Sequence, residues 1–128
     1  MRLLIDTHTF LWFVSDSAKL SATALELIED GSHEKLISIA SLWEMAIKVS
    51  IGKLVLNRPF KDIRTELIDK NGFGLLPITF EQSVCVSTLP FHHRDPFDRL
   101  LIAQSLTEKM AIISIETPFD LYGVQRIW

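Results

Sequence analysis

Short apolar segments alternate with longer helical segments along the whole chain of 128 residues. The apolar segments are rich in Leu and Ile, which is typical of buried strands. They are predicted at 2–6, 35–39, 75–78 and 111–115, with a last short strand near the final QRIW. Strands that alternate with helices predict an α/β fold, in which a parallel sheet is covered by helices on both faces.

Capping signals set the expected helix boundaries. Helices are predicted over 7–14, from Ser21 to Gly31, and over 41–51, 59–70, 80–88 and 96–109. Thr79 and Gln82 have the spacing of a capping box at the start of one helix. Pro77 disfavours a central position in the sheet, so the third strand is expected at an edge. No repeat, linker or low-complexity segment interrupts this pattern, and a single domain over 1–128 is expected.

Composition excludes several classes of protein. Hydrophobic residues make up 48% and charged residues 23%, which is a globular rather than a disordered composition. The only cysteine, Cys85, allows no internal disulfide and no multi-cysteine metal site. No apolar stretch reaches the ~18 residues of a membrane span, and Asp6 interrupts the N-terminal run that a signal peptide would need. We therefore expect a cytoplasmic protein. The formal net charge of the chain, −3, gives no overall attraction to nucleic acid.

Acidic residues follow several of the predicted strands. Asp6 ends the first strand, Glu44 lies in the first turn after the second, and Glu116 follows the fourth. Parallel strands bring their C-terminal ends to one edge of the sheet, where such folds bind ligands. Asp98 precedes the fourth strand by one helix, and the connection at 89–95 decides whether it reaches the same edge. The sequence therefore predicts a cluster of up to four carboxylates.

Each of these acids also has an interpretation as a helix cap. Asp6 can cap the helix that follows it, and Glu116 can cap the turn TPFDLYG. Ser41 and Glu44 have the S-x-x-E spacing of a capping box. Caps alone would more often be a mixture of Ser, Thr and Asn than an acid at every position.

The segment HHRDPFDRLLIAQS contains two aspartates, each of which can be a helix cap or a metal ligand. Asp95 is a good N-cap, Pro96 a good first helical residue, and Asp98 falls at the third position. The helix dipole favours a negative charge there, and we expect it to keep Asp98 ionised. Capping explains both aspartates, and metal binding by Asp98 is the competing interpretation.

Glu44 has an unusual setting on its predicted helix. Ser41, Glu44 and Lys48 form a narrow polar stripe, and the rest of the helix is apolar nearly all round, including Trp43. Such a helix is expected to be mostly buried. A surface Glu44–Lys48 pair is the simple alternative, but a buried polar stripe needs a partner such as a metal ion or a phosphate.

Converging carboxylates without cysteine or histidine ligands favour a hard cation. Mg²⁺ and Mn²⁺ prefer oxygen ligands and often bridge protein carboxylates to a substrate phosphate. Such ions can activate water and stabilise the leaving oxygen of a phosphodiester. Phosphoryl chemistry is therefore the expected use of the cluster.

Three segments, LLIDTHTFLW, SIASLWEMAIKVSIGKL and HHRDPFDRLLIAQS, together resemble the PIN domain, and more narrowly the VapC-type toxins of bacterial toxin–antitoxin systems. The resemblance covers essentially the whole chain. It implies a three-layer α/β/α fold with a central, mainly parallel sheet of about five strands. It also implies a Mg²⁺- or Mn²⁺-dependent endoribonuclease that acts on RNA, forms a homodimer and is silenced by a cognate antitoxin protein.

The resemblance also assigns site residues. Asp6, Glu44 and Asp98 match the first three acids of the family, and Glu116 matches the fourth. The family normally has Thr-x-Asp at the fourth position, where this chain has Ser114 and Glu116. The longer glutamate changes the expected metal geometry.

Residues near these acids have expected supporting roles. Asp95 matches an additional acid of the DPFDR subgroup and is expected to act as a cap and to support Asp98. Thr7 can bind a ligand carboxylate or a phosphate, or only start a helix. Arg99 can bind phosphate or pair with an acid, and Lys48 can contact substrate. His8, His92 and His93 are expected to be exposed, whereas Phe10, Trp12 and Trp43 are expected in the core or a dimer interface.

Three functions remain open from the sequence. The first is the metal-dependent ribonuclease toxin. The second is an inert PIN-fold module that binds RNA or an antitoxin without cleavage, which the Ser114 and Glu116 departures would explain. The third, a phosphatase with Asp6 as nucleophile, is weak because DTHTF lacks a second aspartate two residues later.

Overall fold

The computed structural model describes all of residues 1–128 and contains one five-stranded sheet. The strands are β1 (Arg2–Ile5), β2 (Glu34–Ser38), β3 (Phe73–Leu76), β4 (Ala111–Ile113) and β5 (Arg126–Ile127). Their order across the sheet is β3-β2-β1-β4-β5, and every neighbouring pair is parallel. The parallel sheet predicted from the sequence is confirmed, and β3 is an edge strand as Pro77 indicated.

Five α-helices and three shorter helical segments connect the strands. The α-helices are α1 (Thr7–Val14), α2 (Ala22–Glu29), α3 (Ile39–Ser50), α4 (Phe80–Thr88) and α5 (Pro96–Glu108). Turns of 3₁₀ helix cover Phe60–Asp62 and Thr117–Tyr122, and a π-helical segment covers Arg64–Asp69. The predicted helix over 59–70 is thus two irregular segments rather than one α-helix. None of the helices combines the length and apolar character that a membrane crossing requires.

The central strand β1 shows why the sheet has helices on both faces. Leu3 and Ile5 lie in one buried cluster with Phe10 of α1, and the intervening Leu4 lies in a second cluster with Leu101 of α5. Successive side chains of a strand point to opposite faces, so both faces of β1 are covered. All five side chains are fully buried, which makes the first strand the centre of a three-layer α/β/α fold.

The start of α3 differs from the sequence prediction. Ser38 is the N-cap, and its hydroxyl accepts a hydrogen bond from the backbone N–H of Ala40 at 3.0 Å. The helix therefore begins at Ile39, two residues earlier than expected. This difference places Ser41 and Glu44 inside the helix, so they cannot form its capping box.

The outer face of α3 is more exposed than the sequence indicated. Trp43 is 60% exposed and Ile51 is 58% exposed, so the expectation of a mostly buried helix is correct only for its inner face. The ring of Trp43 packs edge-on against Phe97 of α5, with 5.5 Å between ring centroids. This contact joins α3 to α5 near the acidic residues of both helices.

The first turn of α5 is fixed by its cap. The side chain of Asp95 accepts a hydrogen bond from the backbone N–H of Asp98 at 3.0 Å, and Pro96 is the first helical residue. The capping interpretation of Asp95 is confirmed. The side chain of Asp98 makes no reciprocal hydrogen bond to the backbone N–H of Asp95.

We predict that Asp95→Ala lowers the free energy of unfolding by about 1 kcal/mol, because the first turn of α5 loses its cap. Asp95→Asn is the matched control, since asparagine caps about as well while it removes the same charge. Urea unfolding of the metal-free proteins measures the difference. Equal stability of the two variants would show that the cap contributes nothing.

Candidate carboxylate site at the sheet edge

Asp6 is fixed at the C-terminal end of the central strand. Its Oδ1 accepts a hydrogen bond from the backbone N–H of Thr9 at 2.8 Å and so caps α1. Its own backbone N–H donates to the carbonyl of Ile113 on β4 at 3.2 Å. The residue is 2% exposed. The capping interpretation is correct for Asp6, but it uses only one of the two carboxylate oxygens.

Glu44 has no capping role. It lies in the second turn of α3, and the residue is 5% exposed. Its Oε2 accepts a hydrogen bond from Nζ of Lys48 at 3.1 Å, whereas its Oε1 is buried without any hydrogen-bond partner. A buried carboxylate oxygen without a donor is costly, so this atom is a candidate ligand for a cation.

A hydroxyl pair joins the beginnings of α1 and α3. Thr7 Oγ1 donates to Ser41 Oγ at 2.9 Å, and both residues are buried. Thr7 therefore contacts a serine rather than a carboxylate. The bond holds the helices that carry Asp6 and Glu44 next to each other.

Ser114 and Glu116 form a turn directly after β4. The hydroxyl of Ser114, which is fully buried, accepts a hydrogen bond from the backbone N–H of Glu116 at 3.0 Å. The side chain of Glu116 makes no cap hydrogen bond to the 3₁₀ turn that follows. The capping interpretation of Glu116 is therefore wrong, and Ser114 serves as the residue that positions its backbone.

Asp98 shows that the acids converge. Its side chain is 25% exposed, and burial raises its pKa to about 8. The further causes, in decreasing order, are the negative charges of Asp95, Asp6, Glu44 and Glu116. Because all four charges act on one carboxyl group, the connection at 89–95 does bring Asp98 to the same edge. The expectation that the helix dipole keeps Asp98 ionised is wrong, since burial and like charges outweigh the dipole.

Arg99 organises the connection that leads into α5. Its guanidinium donates to the backbone carbonyls of Pro90 at 2.8 Å and Leu89 at 3.2 Å, and it lies 4.0 Å from the ring centroid of Phe91. It makes no ion pair, so pairing with an acid, one of the two roles that the sequence left open, is wrong, and phosphate binding stays untested. The residue is 5% exposed, and its hydrogen bonds hold the backbone of 89–91 in place.

His93 and Tyr122 are site residues that sequence reasoning missed. His93 was expected to be exposed, but its side chain is only 19% exposed and its Nε2 lies 3.8 Å from Oδ2 of Asp98. Burial is the main reason that the pKa of His93 is lowered. Its Nδ1 is hydrogen bonded to the hydroxyl of Tyr122 at 2.8 Å. Tyr122 is the only tyrosine of the chain, which is the one signal that the sequence offered.

The cluster fits a hard divalent cation by the chemistry of its donors. The negative charges of four carboxylates help to raise the pKa of a fifth, that of Asp98. The buried Oε1 of Glu44 has no hydrogen-bond donor. No three side chains of the right type are already arranged to hold a metal ion. The three cavities of the protein, of about 290, 290 and 160 Å³, are lined by other residues. The candidate site is therefore an acidic sheet edge that lies outside these cavities.

The sequence matches the PIN domain family model over residues 3–123. This match covers nearly all of the chain, and the chain belongs to the PIN domain family. A search of functionally curated proteins gave no significant match.

Solved structures of low sequence identity share the fold. One chain of VapBC2 from Rickettsia felis, bound to a DNA fragment from its promoter, has a TM-score of 0.71 at 14% identity, with 99% of this chain and 98% of that chain covered. FitAcB from Neisseria gonorrhoeae gives 0.67 at 12% identity, covering 98% and 96%. A toxin–antitoxin complex from Klebsiella pneumoniae gives 0.66 at 15% identity, also covering 98% and 96%.

The raised pKa of Asp98 predicts how stability changes with pH. Between its ordinary value of 3.8 and about 8, the folded protein keeps a proton that the unfolded chain releases. The contribution of Asp98 to stability therefore falls as the pH rises through this interval. We predict that metal-free Asp98→Asn is more stable than the wild type by on the order of 2 kcal/mol at pH 8, with the difference vanishing near pH 4.

Thermal melts in a chelator across this pH range test the prediction. The same substitution at Asp69, an exposed residue remote from the cluster in sequence, is the control, and Asp69→Asn should follow the wild-type profile. A constant offset between wild type and Asp98→Asn at every pH would contradict the raised pKa.

Proposed function

We propose that this protein is a Mg²⁺- or Mn²⁺-dependent endoribonuclease and the toxin of a toxin–antitoxin pair. The observation that carries the proposal is the convergence of carboxylates on Asp98 at the C-terminal edge of the sheet. Membership of the PIN family supports a nuclease.

The proposed ligands are Asp6, Glu44, Asp98 and Glu116. Each comes from a different segment of the chain, and each is placed by its own local structure. Asp6 is the N-cap of α1, and Asp98 lies in the first turn of α5, which Asp95 caps. Glu44 is fixed by Lys48, and the turn of Glu116 is fixed by Ser114. A cation bound there would polarise the phosphodiester and lower the pKa of an attacking water.

The residues of the chain have separate tasks in this proposal. The buried Oε1 of Glu44 and the free oxygen of Asp6 would present negative charge to a bound cation. Lys48 offers a positive charge beside the cluster, with its side chain 35% exposed, and can contact an RNA phosphate. Asp95 caps α5 and adds a negative charge close to Asp98.

Three structural neighbours support a protein partner. Two are VapBC complexes from Rickettsia felis and nontypeable Haemophilus influenzae, and one is described as a toxin–antitoxin complex. We propose that an antitoxin protein binds this chain and that the chain forms a homodimer. The outer face of α3 offers an apolar surface for one of these contacts, since Ile39, Trp43, Ile47 and Ile51 are exposed at every fourth position. A cytoplasmic location remains part of the proposal.

We predict that Glu44→Gln lowers Mn²⁺ affinity at least tenfold and abolishes metal-dependent cleavage of RNA, because the buried ligand oxygen loses its charge. The helix should remain intact, since Glu44 does not cap it. Calorimetric titration with Mn²⁺ and cleavage of a labelled RNA measure the two effects. Glu81→Gln, the same change at an exposed glutamate of α4, is the matched control.

The same experiment separates the alternative functions. Metal-dependent RNA cleavage by the wild type, lost in Glu44→Gln, supports the proposal. RNA binding without cleavage in Mg²⁺ or Mn²⁺ would favour the inert binding module. Hydrolysis of a phosphate monoester but not of RNA would favour a phosphatase.

A further inference from the structure

The hydroxyl of Tyr122 determines which nitrogen of the His93 ring carries the proton. Its oxygen receives hydrogen bonds from three N–H groups, which belong to the backbones of His92 and His93 and to the guanidinium of Arg99, at 3.0, 3.2 and 3.3 Å. Its fourth partner is Nδ1 of His93 at 2.8 Å. A phenol has one hydrogen to donate, and Nδ1 is the only one of these partners that can accept it.

The proton of the His93 ring must then be on the other nitrogen. A neutral imidazole has one N–H and one acceptor nitrogen, so an accepting Nδ1 leaves the hydrogen on Nε2. This Nε2 is buried and has no hydrogen-bond partner. A buried N–H without an acceptor is costly, so the ring is poised to donate.

Asp98 is the acceptor within reach. Its Oδ2 lies 3.8 Å from Nε2 of His93, which is about 1 Å longer than a good hydrogen bond, so the two side chains must move closer for the bond to form. The rings of Phe119 and Tyr122, with centroids 5.7 and 5.4 Å away, confine the His93 ring. The histidine is therefore the fixed partner and the carboxylate the adjustable one.

We infer that His93 is a positioning residue for Asp98, that it acts by donating Nε2–H to Oδ2, and that Tyr122 fixes the tautomer that makes this possible. A carboxylate held through one oxygen presents the other oxygen to a cation in a defined direction. The inference rests on the proposed function only in treating Asp98 as a metal ligand. The hydrogen-bond relay from Tyr122 through His93 to Asp98 does not depend on any metal.

The tautomer can be measured directly in the whole protein. We expect the ¹⁵N resonances of the His93 ring in the metal-free protein at about pH 7.5, where a free imidazole is largely neutral, to show a protonated Nε2 and an unprotonated Nδ1. Tyr122→Phe should shift the Nδ1 resonance, because Nδ1 loses the hydroxyl that donates to it, and Asp98→Asn should shift the Nε2 resonance with little effect on Nδ1. A protonated Nδ1 in the wild type, or an Nε2 resonance unchanged in Asp98→Asn, would overturn the inference.

Two substitutions separate positioning from a merely structural role. A glutamine amide reaches the place of Nε2, whereas an asparagine amide reaches only that of Nδ1, beside Tyr122. We expect His93→Gln to keep Mn²⁺ affinity within about threefold and His93→Asn to lose it by about tenfold to a hundredfold. The reverse order, with asparagine tolerated and glutamine harmful, would assign His93 to holding Tyr122 alone and would overturn the inference.

His33→Asn is the control, because His33 lies just before β2, where its ring contacts Met1 and Asp30 and not Tyr122. Its Mn²⁺ affinity should equal that of the wild type. A wild-type protein that neither binds Mn²⁺ nor cleaves RNA would contradict the proposed function, and the ¹⁵N measurements would then decide the inference by themselves. Metal binding that is equal in wild type, His93→Gln and His93→Asn would overturn the inference and leave the proposed function intact.

Discussion

Repulsion between carboxylates at one edge of the sheet is the constraint on which the site depends. Asp98 is partly buried beside four other acids, and its pKa is raised to about 8 as a result. A fold tolerates such a cluster only when other interactions hold its members in place. Here the central strand, whose residues 3–5 are fully buried, supplies that support, because it fixes Asp6 and aligns the ends of β2 and β4 beside it. The cluster is therefore a costly feature placed at the end of the buried central strand.

The neighbouring groups that position the individual acids are mostly uncharged. Hydroxyl and backbone groups position the acids without neutralising them, as Ser114 does for Glu116 and the Thr7–Ser41 pair does for the two adjoining helices. Lys48 is the one cation in contact with a cluster carboxylate, and its bond leaves the second oxygen of Glu44 free. Arg99 lies close in sequence, yet it is committed to backbone carbonyls. The net negative charge of the edge is thus preserved for a cation to neutralise.

The alternation of strands and helices made the parallel sheet, its edge strand and the positions of Asp6, Glu44 and Glu116 predictable. Local patterns failed where two of them competed. The S-x-x-E spacing of Ser41 and Glu44 indicated a cap, but Ser38 begins the helix earlier, and only the structure shows which serine caps it. The raised pKa of Asp98 and the burial of His93 could not be predicted, because both depend on contacts between segments far apart in the chain. Apolar periodicity also overestimated the burial of α3, since it cannot distinguish a core face from an exposed apolar face such as that of Trp43.

We propose that the cluster holds a proton at neutral pH and that a bound cation would displace it. Calorimetric titration with Mn²⁺ at pH 7, repeated in buffers of different ionisation enthalpy, measures the number of protons released on binding. With the pKa of Asp98 at about 8, the account predicts the release of close to one proton by the wild type and almost none by Asp98→Asn. Binding of Mn²⁺ by the wild type without proton release, or equal release by both proteins, would contradict it.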